Sequence, residues 1–206
     1  MDWKEVKPKD FWGEIAPCEH VLQIYESNEV LMQTLAGFVG DGINSGDCTI
    51  VIATREHLKS LESILTSHGI NMDSLKSEDL YISMDADKAL STFMVNGWPD
   101  SFRFFNMVSG LFRRASKKNR NVRAFGEMVA ILWARGDNGA TVQLEHLWNE
   151  FCKEHQMTLF CAYPKTGFTN SLQRSMEGLC HMHSKVICGS SQPSSRLLFK
   201  TPEISY

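Results

Sequence analysis

Short apolar runs alternate with stretches of helical periodicity along most of the chain. Runs with little polar interruption, such as CTIVIA and MTLFCAY, are typical of strands that are buried on both faces of a sheet. Between them, apolar residues at intervals of three and four indicate amphipathic helices. The pattern predicts strands at residues 20–25, 48–53, 80–84, 122–125, 157–163 and 185–188. It predicts helices at 28–43, 55–68, 85–96, 101–118, 127–136, 138–155 and 171–184.

This alternation of strands and helices predicts an α/β fold, a three-layer αβα sandwich with a mostly parallel sheet. Ligands of such sheets bind beyond the carboxyl ends of the strands, near the point where the strand order reverses. The residues that directly follow each strand are therefore the first candidates for a binding site.

Composition restricts the class of protein. Of 206 residues, 43% are hydrophobic and 22% are charged, which are ordinary values for a folded domain and exclude general disorder. The formal net charge of −3 argues against direct nucleic-acid binding. No apolar run approaches the roughly 18 residues that a membrane span needs, and the N-terminus lacks the apolar segment of a secretion signal. We therefore expect a cytoplasmic protein without membrane contact.

Six cysteines are spread along a chain that has ample core-forming residues, so a disulfide scaffold is not expected. Most of them are interpreted as buried, reduced thiols. The closest approach to a metal motif is Cys180-x-x-His183, with His181 and Cys188 nearby. A single pair of this kind is weak support for a metal site, and we expect no metal and no cofactor.

The turn after the first core strand lacks the chemistry of a phosphate loop. Residues 25–29 (YESNE) contain neither glycine nor lysine, and two of them are acidic. Glycines allow backbone N–H groups to close around a phosphate, and lysine neutralises it. ATP hydrolysis is therefore not expected, and we predict a non-enzymatic protein with no catalytic residues.

Several other features each allow two interpretations. The basic residues between Arg113 and Arg123 are either a solvated helix end or a patch for phosphate or an acidic partner. Glu127 follows a strand, and either caps the next helix or lines a ligand pocket. His20 is either a structural histidine or a ligand contact. The predicted helix 101–118 is apolar over most of its circumference, so its aromatic residues and Trp98 are expected in the core or around an apolar cavity.

Three short motifs, GEM-x-x-x-LW (126–133), LE-x-LWN (144–149) and CAYP (161–164), occur together with further matching segments at 20–65 and 179–187. In this combination, order and spacing the chain resembles the MEDS family, the sensory domain of the methanogen and methylotroph regulator DcmR. The resemblance covers about residues 18–188. It implies a RecA/KaiC-like fold that has lost its phosphate loop, and a role in sensing small hydrocarbon derivatives for signalling or transcriptional control.

Individual residues match the family's motifs. The matching positions are His20, Tyr25, Gly126, Glu127, Trp133, Glu145, Trp148, Tyr163 and His183. The ligand-binding prediction combines most of these with two residues at the expected carboxyl edge of the sheet. The predicted ligand-binding residues are His20, Tyr25, Glu26, Arg55, Gly126, Glu127, Trp133, Tyr163 and His183.

Regulators of the DcmR type join this domain to a DNA-binding helix-turn-helix, and the residues before the match are too few for one. We therefore divide the chain into an N-terminal extension (1–17), a MEDS-like sensory domain (18–189) and a C-terminal tail (190–206). The expected partners are a small organic ligand and a protein of a signalling pathway, and a homodimer is also considered. Two alternatives stay open: a divergent KaiC-like nucleotide-binding protein or ATPase, and a protein-interaction adaptor without a ligand.

Overall fold

An eight-stranded sheet forms the middle layer of the computed structural model. The structure describes the backbone of residues 3–6, 19–167, 173–189 and 196–200, and the side chains of residues 19–166 and 178–187. Its strands are β1 (Trp3–Val6), β2 (His20–Tyr25), β3 (Cys48–Ala53), β4 (Tyr81–Asp85), β7 (Val122–Gly126), β8 (Thr158–Pro164), β9 (Lys185–Gly189) and β10 (Arg196–Lys200). A separate two-stranded hairpin consists of β5 (Met94–Val95) and β6 (Trp98–Pro99).

The spatial order of the large sheet is β1-β10-β9-β2-β8-β7-β3-β4. The six strands from β9 to β4 pair in parallel, whereas β10 and β1 add an antiparallel edge. The predicted mostly parallel sheet is thus confirmed, and each of its six predicted strands lies within one residue of the observed bounds. The segments predicted as an N-terminal extension and a C-terminal tail each contribute one strand to this sheet, β1 and β10.

Helices cover both faces of the sheet. They are α1 (Asn28–Asn44), α2 (Arg55–Ser67), α3 (Met72–Ser77), α4 (Ala86–Phe93), α5 (Ser101–Ala115), α6 (Met128–Ala134), α7 (Asn138–His155) and α8 (Gln173–Met182), with 3₁₀ turns at Lys117–Asn119 and Lys165–Gly167. One apolar cluster packs α1 to α3 on one face, and a second packs α4 to α8 on the other. Two cores on opposite faces of one sheet establish the predicted three-layer αβα architecture.

The segment after β4 differs from its prediction. The expected helix at 85–96 ends at Phe93, and the chain then forms the β5–β6 hairpin. Asn96 and Gly97 connect its two strands with φ angles of 50° and 82°. An Asn-Gly pair with positive φ at both positions is typical of a tight hairpin turn, and this local signal outweighs the helical periodicity. The short helix α3 was not predicted either.

Two aromatic residues expected in the core are exposed. Trp98 on the hairpin is 53% exposed, and Phe102 in the first turn of α5 is 73% exposed. Along α5, full burial is confined to Phe104, Val108 and Ala115. The helix is therefore half-buried rather than enclosed, because it packs with one side toward the sheet and leaves the other to solvent.

Much of the basic cluster pairs with the β3–β4 side of the molecule. Arg114 and Lys117 donate to the carboxylate of Asp79 at 2.8 and 2.9 Å. Arg120 donates to the backbone carbonyls of Glu78 and Asp79. For these residues the contacts support the interpretation of a solvated helix end, whereas Arg123 is buried on β7 and belongs to a different environment.

Cysteines within the described side chains are free thiols, and Cys48, Cys152 and Cys161 among them are buried. Cys18 and Cys188 lie outside the described side chains, as do Phe11 and Trp12 of the N-terminal extension. Over the described part of the chain, no helix is both long enough and apolar enough to cross a membrane.

Candidate functional site

Glu127, directly after β7, connects the carboxyl edge of the sheet to the start of α2. Its Oε2 accepts a hydrogen bond from the backbone N–H of Thr54 at 2.8 Å, and its Oε1 lies 2.8 Å from Nδ1 of His57. Thr54 itself caps α2. Glu127 makes no side-chain capping bond to its own helix, so of its two interpretations the capping of α6 does not apply. The carboxylate instead occupies the anion-favouring N-terminus of α2.

The charge of Glu127 affects two neighbours. Its hydrogen bond raises the pKa of His57, because the carboxylate favours the protonated imidazole. Burial is the main reason that the pKa of Tyr25 is raised to about 12, and the negative charge of Glu127 adds a smaller contribution. Tyr25 is 7% exposed and ends β2. The edge of the sheet therefore carries a protonated phenol, which remains a hydrogen-bond donor at neutral pH, beside a histidine–carboxylate pair.

The turn after β2 is closed by its own side chains. Ser27 caps α1 by accepting a hydrogen bond from the N–H of Val30 at 3.3 Å. Lys165 donates to the Glu26 carboxylate at 2.6 Å. The helix N-terminus that binds phosphate in nucleotide-binding folds is thus capped by serine and flanked by acidic residues.

A groove of about 520 Å³ runs between α1 and α2, beside the His57–Glu127 pair. Met32 and Ile64 supply apolar surface to it, and Asn28, Gln33 and His57 supply polar groups. Its volume lies within the range of small-molecule sites, and its lining combines both kinds of surface.

Three other predicted residues have contacts elsewhere. The Arg55 side chain donates to Asp85 at the end of β4 at 2.7 Å. Gly126 lies against the Trp148 indole, which a Cβ at this position would meet at 3.6 Å. The ring of Trp133 packs edge-on against that of Tyr163, with 6.1 Å between centroids.

A second group of polar side chains is buried between the sheet and α7. It consists of His20, Glu145, Cys161 and His183, each of which offers one donor atom, and these atoms all lie within 4.8 Å of one another. His20 Nε2 lies 3.2 Å from Cys161 Sγ and 3.4 Å from Glu145 Oε2. His183 Nε2 lies 3.6 Å from the same Glu145 oxygen. We call these four residues the His-Glu-Cys cluster.

Strand pairing and helix periodicity bring this cluster together. His20 and Cys161 lie on the adjacent parallel strands β2 and β8, where Leu22 is paired with Cys161. Since side chains alternate along a strand, His20 and Leu22 share one face of β2, which is the face that Cys161 also joins. Glu145 and Asn149, one helical turn apart on α7, project toward that face. His183 follows α8 and completes the cluster from the edge of the sheet.

Each member of the His-Glu-Cys cluster except Cys161 is oriented by a further hydrogen bond. Nδ1 of His20 donates to Asn149 Oδ1 at 2.8 Å, and Nδ1 of His183 donates to the Leu179 carbonyl at 2.6 Å. The Tyr163 hydroxyl donates to Glu145 Oε1. Since Nδ1 is the donor in both contacts, the Nε2 atom of each imidazole is directed into the cluster, and in the neutral form it presents a lone pair there.

Two atoms of this cluster are buried without a hydrogen-bond partner among the described residues: Glu145 Oε2 and His183 Nε2. Burial raises the pKa of Glu145 and of the Cys161 thiol, while burial and the nearby His183 lower that of His20. The environment thus favours the uncharged form of each group. The Cys161 thiol can donate to His20 Nε2, but Glu145 Oε2 and His183 Nε2 have no partner among the described residues, which is unusual in a folded core, where buried polar groups are normally paired.

The sequence model of MEDS, described as "MEthanogen/methylotroph, DcmR Sensory domain", matches residues 19–183. The chain belongs to the MEDS family. This membership confirms the family that the short motifs indicated, and it indicates a sensory role.

Structural comparison places this MEDS chain among KaiC-like folds. A KaiC-like protein of the hyperthermophilic archaeon Pyrococcus horikoshii OT3 aligns over 99% of this chain and 91% of its own, with a TM-score of 0.62 and 13% identity. At this identity the similarity shows the fold alone. No curated protein matches the sequence.

Six of the nine predicted site residues of this MEDS domain fall into two groups. Tyr25, Glu26 and Glu127 lie at the carboxyl edge, whereas His20, Tyr163 and His183 surround the His-Glu-Cys cluster. In the sequence, Glu145 stands out only as a family match, and Cys161 is one of the six cysteines of which most are interpreted as buried, reduced thiols. The sequence signal for this cluster was the pair Glu145 and Asn149, two polar residues four positions apart on the apolar side of a predicted helix.

Proposed function

We propose that this MEDS domain is a non-enzymatic sensor that binds a small organic molecule at the carboxyl edge of its sheet and passes the signal to a partner protein. Family membership supports the sensory role. The closed turn after β2 is the observation that carries the choice of ligand class, because the position used for a triphosphate is capped by Ser27 and bordered by Glu26.

The groove between α1 and α2 is the proposed binding region. Met32 and Ile64 suit a short hydrocarbon part, and His57, which lines the groove and is paired with Glu127, can recognise one polar group through a hydrogen bond. A ligand changes the signalling state only through its different affinity for two conformations. Since the groove lies between two helices, a change in their separation is the proposed response.

Calorimetric titration of the full chain tests this proposal. The probes are alcohols, amines and halides of one to four carbons, with ATP–Mg²⁺ as the competing class. A true ligand at about one hundred times its Kd raises the free energy of unfolding by about 2.7 kcal/mol. Binding of ATP–Mg²⁺ with release of phosphate would instead establish the nucleotide alternative. Absence of binding by every probe would support the adaptor without a ligand.

A pair of tyrosine variants locates the site. Tyr25→Phe removes the donor at the proposed edge and is expected to weaken probe binding about tenfold, the value of one hydrogen bond. Tyr81→Phe removes an equally buried hydroxyl from β4 and serves as the control, with unchanged affinity expected. Equal weakening by both variants would contradict the assignment.

A further inference from the structure

We propose that the His-Glu-Cys cluster is a binding site for a divalent transition-metal ion, with zinc as the ion that its ligands fit best. The four donors are His20 Nε2, Glu145 Oε2, Cys161 Sγ and His183 Nε2. This proposal departs from the sequence-based expectation of no metal. It is independent of the organic ligand proposed above, because it concerns other atoms on the opposite face of the sheet.

The distances suit tetrahedral coordination. Zinc binds imidazole nitrogen and carboxylate oxygen at about 2.0–2.2 Å and thiolate at about 2.3 Å, so neighbouring ligand atoms of a tetrahedron lie about 3.3–3.7 Å apart. Three of the six separations are 3.2 Å between His20 and Cys161, and 3.4 and 3.6 Å from Glu145 to the two imidazoles. All four donor atoms lie within 4.8 Å of one another, so small side-chain shifts would bring the remaining pairs to tetrahedral distances.

The unpartnered atoms point to the same conclusion. Glu145 Oε2 and His183 Nε2 are fully buried and lack hydrogen-bond partners among the described residues. Leaving such groups unpaired in a core costs about 1–3 kcal/mol each, and a cation at the centre of the cluster would satisfy both. Glu145 Oε2 lies 3.4 Å from His20 Nε2 and 3.6 Å from His183 Nε2, so it faces two of the other proposed ligands.

Outer contacts orient the ligands as metal sites require. Metal-binding histidines usually donate their second N–H to a carbonyl or carboxylate group, and ligating carboxylates are themselves hydrogen-bonded. Asn149 Oδ1, the Leu179 carbonyl and the Tyr163 hydroxyl supply these contacts to His20, His183 and Glu145. The set is therefore prearranged to present nitrogen, oxygen and sulfur donors to one point.

Charge also fits a divalent ion. The Cys161 thiolate and the Glu145 carboxylate together neutralise two positive charges, so the loaded site is uncharged and suited to a fully buried position. The protons that Cys161 and Glu145 lose on binding pass to solvent. The donor set of two imidazoles, one thiolate and one carboxylate favours zinc over magnesium or calcium, which prefer oxygen ligands.

An ion at this position would join four distant segments. Its ligands come from β2, α7, β8 and the connection between α8 and β9, so it would fasten the C-terminal part of the chain to the central strands. Since the unfolded chain does not hold these ligands together, the binding free energy adds to the stability of the folded domain.

The test is cobalt and zinc titration of the full chain after removal of metal with a chelator. We expect one equivalent of Co²⁺ to bind with the thiolate charge-transfer band and the intense visible bands of a tetrahedral site, and zinc to abolish both. Elemental analysis of the purified chain should show about one zinc per molecule. A wild-type chain that shows neither zinc nor a cobalt–thiolate band would overturn the proposal.

Matched variants assign the ligands. Cys161→Ala should lose the charge-transfer band, whereas Cys48→Ala, which removes an equally buried thiol from β3, should retain it. Asn149→Ala should keep the band and weaken metal affinity about 10–100-fold, as loss of an outer contact does. Retention of the band by Cys161→Ala would exclude the site. If that variant does not fold, alkylation of the wild-type thiols is the alternative test. Zinc should protect one thiol of the wild-type chain from alkylation, and absence of this protection would contradict the proposal.

Discussion

Two buried polar clusters in this domain differ in how their hydrogen-bonding groups are matched. Around Arg123 on β7, Nη1 donates to Asp41 at 2.7 Å and Nε donates to Asp47 at 2.6 Å. Asn121 donates to the other oxygen of Asp47. In the His-Glu-Cys cluster, by contrast, acceptor atoms face one another, and two of them have no hydrogen-bond partner among the described residues.

The difference separates a structural cluster from one that is arranged for a ligand. A guanidinium and two carboxylates complete each other, so the Arg123 cluster needs nothing further to be stable in its buried position. Two imidazoles, a carboxyl and a thiol can satisfy one another's hydrogen-bonding atoms only with additional protons or with a bound cation. Burial alone therefore does not identify a functional site, whereas burial with converging unpaired acceptors does.

The largest effect is expected for Arg123→Leu. Its removal leaves the buried carboxylate of Asp47 and the partly exposed carboxylate of Asp41 without their main partner, and breaking the buried Arg123–Asp47 pair costs about 3–5 kcal/mol of unfolding free energy. Urea denaturation measures the change. Arg114→Leu is the control, because its exposed pair with Asp79 contributes at most about 1 kcal/mol. Equal losses in both variants would show that the Arg123 cluster is not a stabilising element.

An intermediate effect is expected at the His57–Glu127 pair. His57→Gln removes a charge-assisted hydrogen bond and should cost about 1.5–3 kcal/mol at a pH where wild-type His57 is protonated. The pKa of His57 is raised on folding from 6.5, so its contribution is fully present below pH 6.5 and is lost as pH rises through the folded value. Unfolding at a series of pH values should show this decline in the wild type and not in the variant. Parallel pH profiles for the two proteins would contradict the ion pair.

The smallest effect is expected for Glu145→Gln in the metal-free domain. The amide still accepts from Tyr163, and the position already contains an unpaired oxygen, so we expect a change below about 1 kcal/mol. With zinc present the wild type gains stability that the variant lacks, about 4 kcal/mol at one thousand times Kd. Urea denaturation with and without zinc measures both differences. If metal-free Glu145→Gln lost as much unfolding free energy as Arg123→Leu, the two clusters would not differ in the way described.

Local patterns in the sequence were sufficient for most of the architecture. Continuous apolar runs such as CTIVIA predicted buried parallel strands, because a strand covered on both faces has no polar side. The absence of glycine and lysine at 25–29 predicted that the turn after β2 is not a phosphate loop, since phosphate binding there depends on a few neighbouring residues alone. The hairpin at Asn96–Gly97 was missed although its signal was equally local, because the periodicity of the preceding helix was extended through it.

Tertiary structure decided which side chains act together. Nothing in the sequence separations of His20, Glu145, Cys161 and His183 indicates that their donor atoms lie within 4.8 Å, because this depends on the pairing of β2 with β8 and on the position of α7. The same holds for Glu127, whose partners Thr54 and His57 belong to another strand–helix unit. The sequence alone determined most of the elements and the loss of the phosphate loop, since these follow from short-range pattern. The order of strands created the two sites, since parallel pairing brings distant residues to one edge and one face of a sheet.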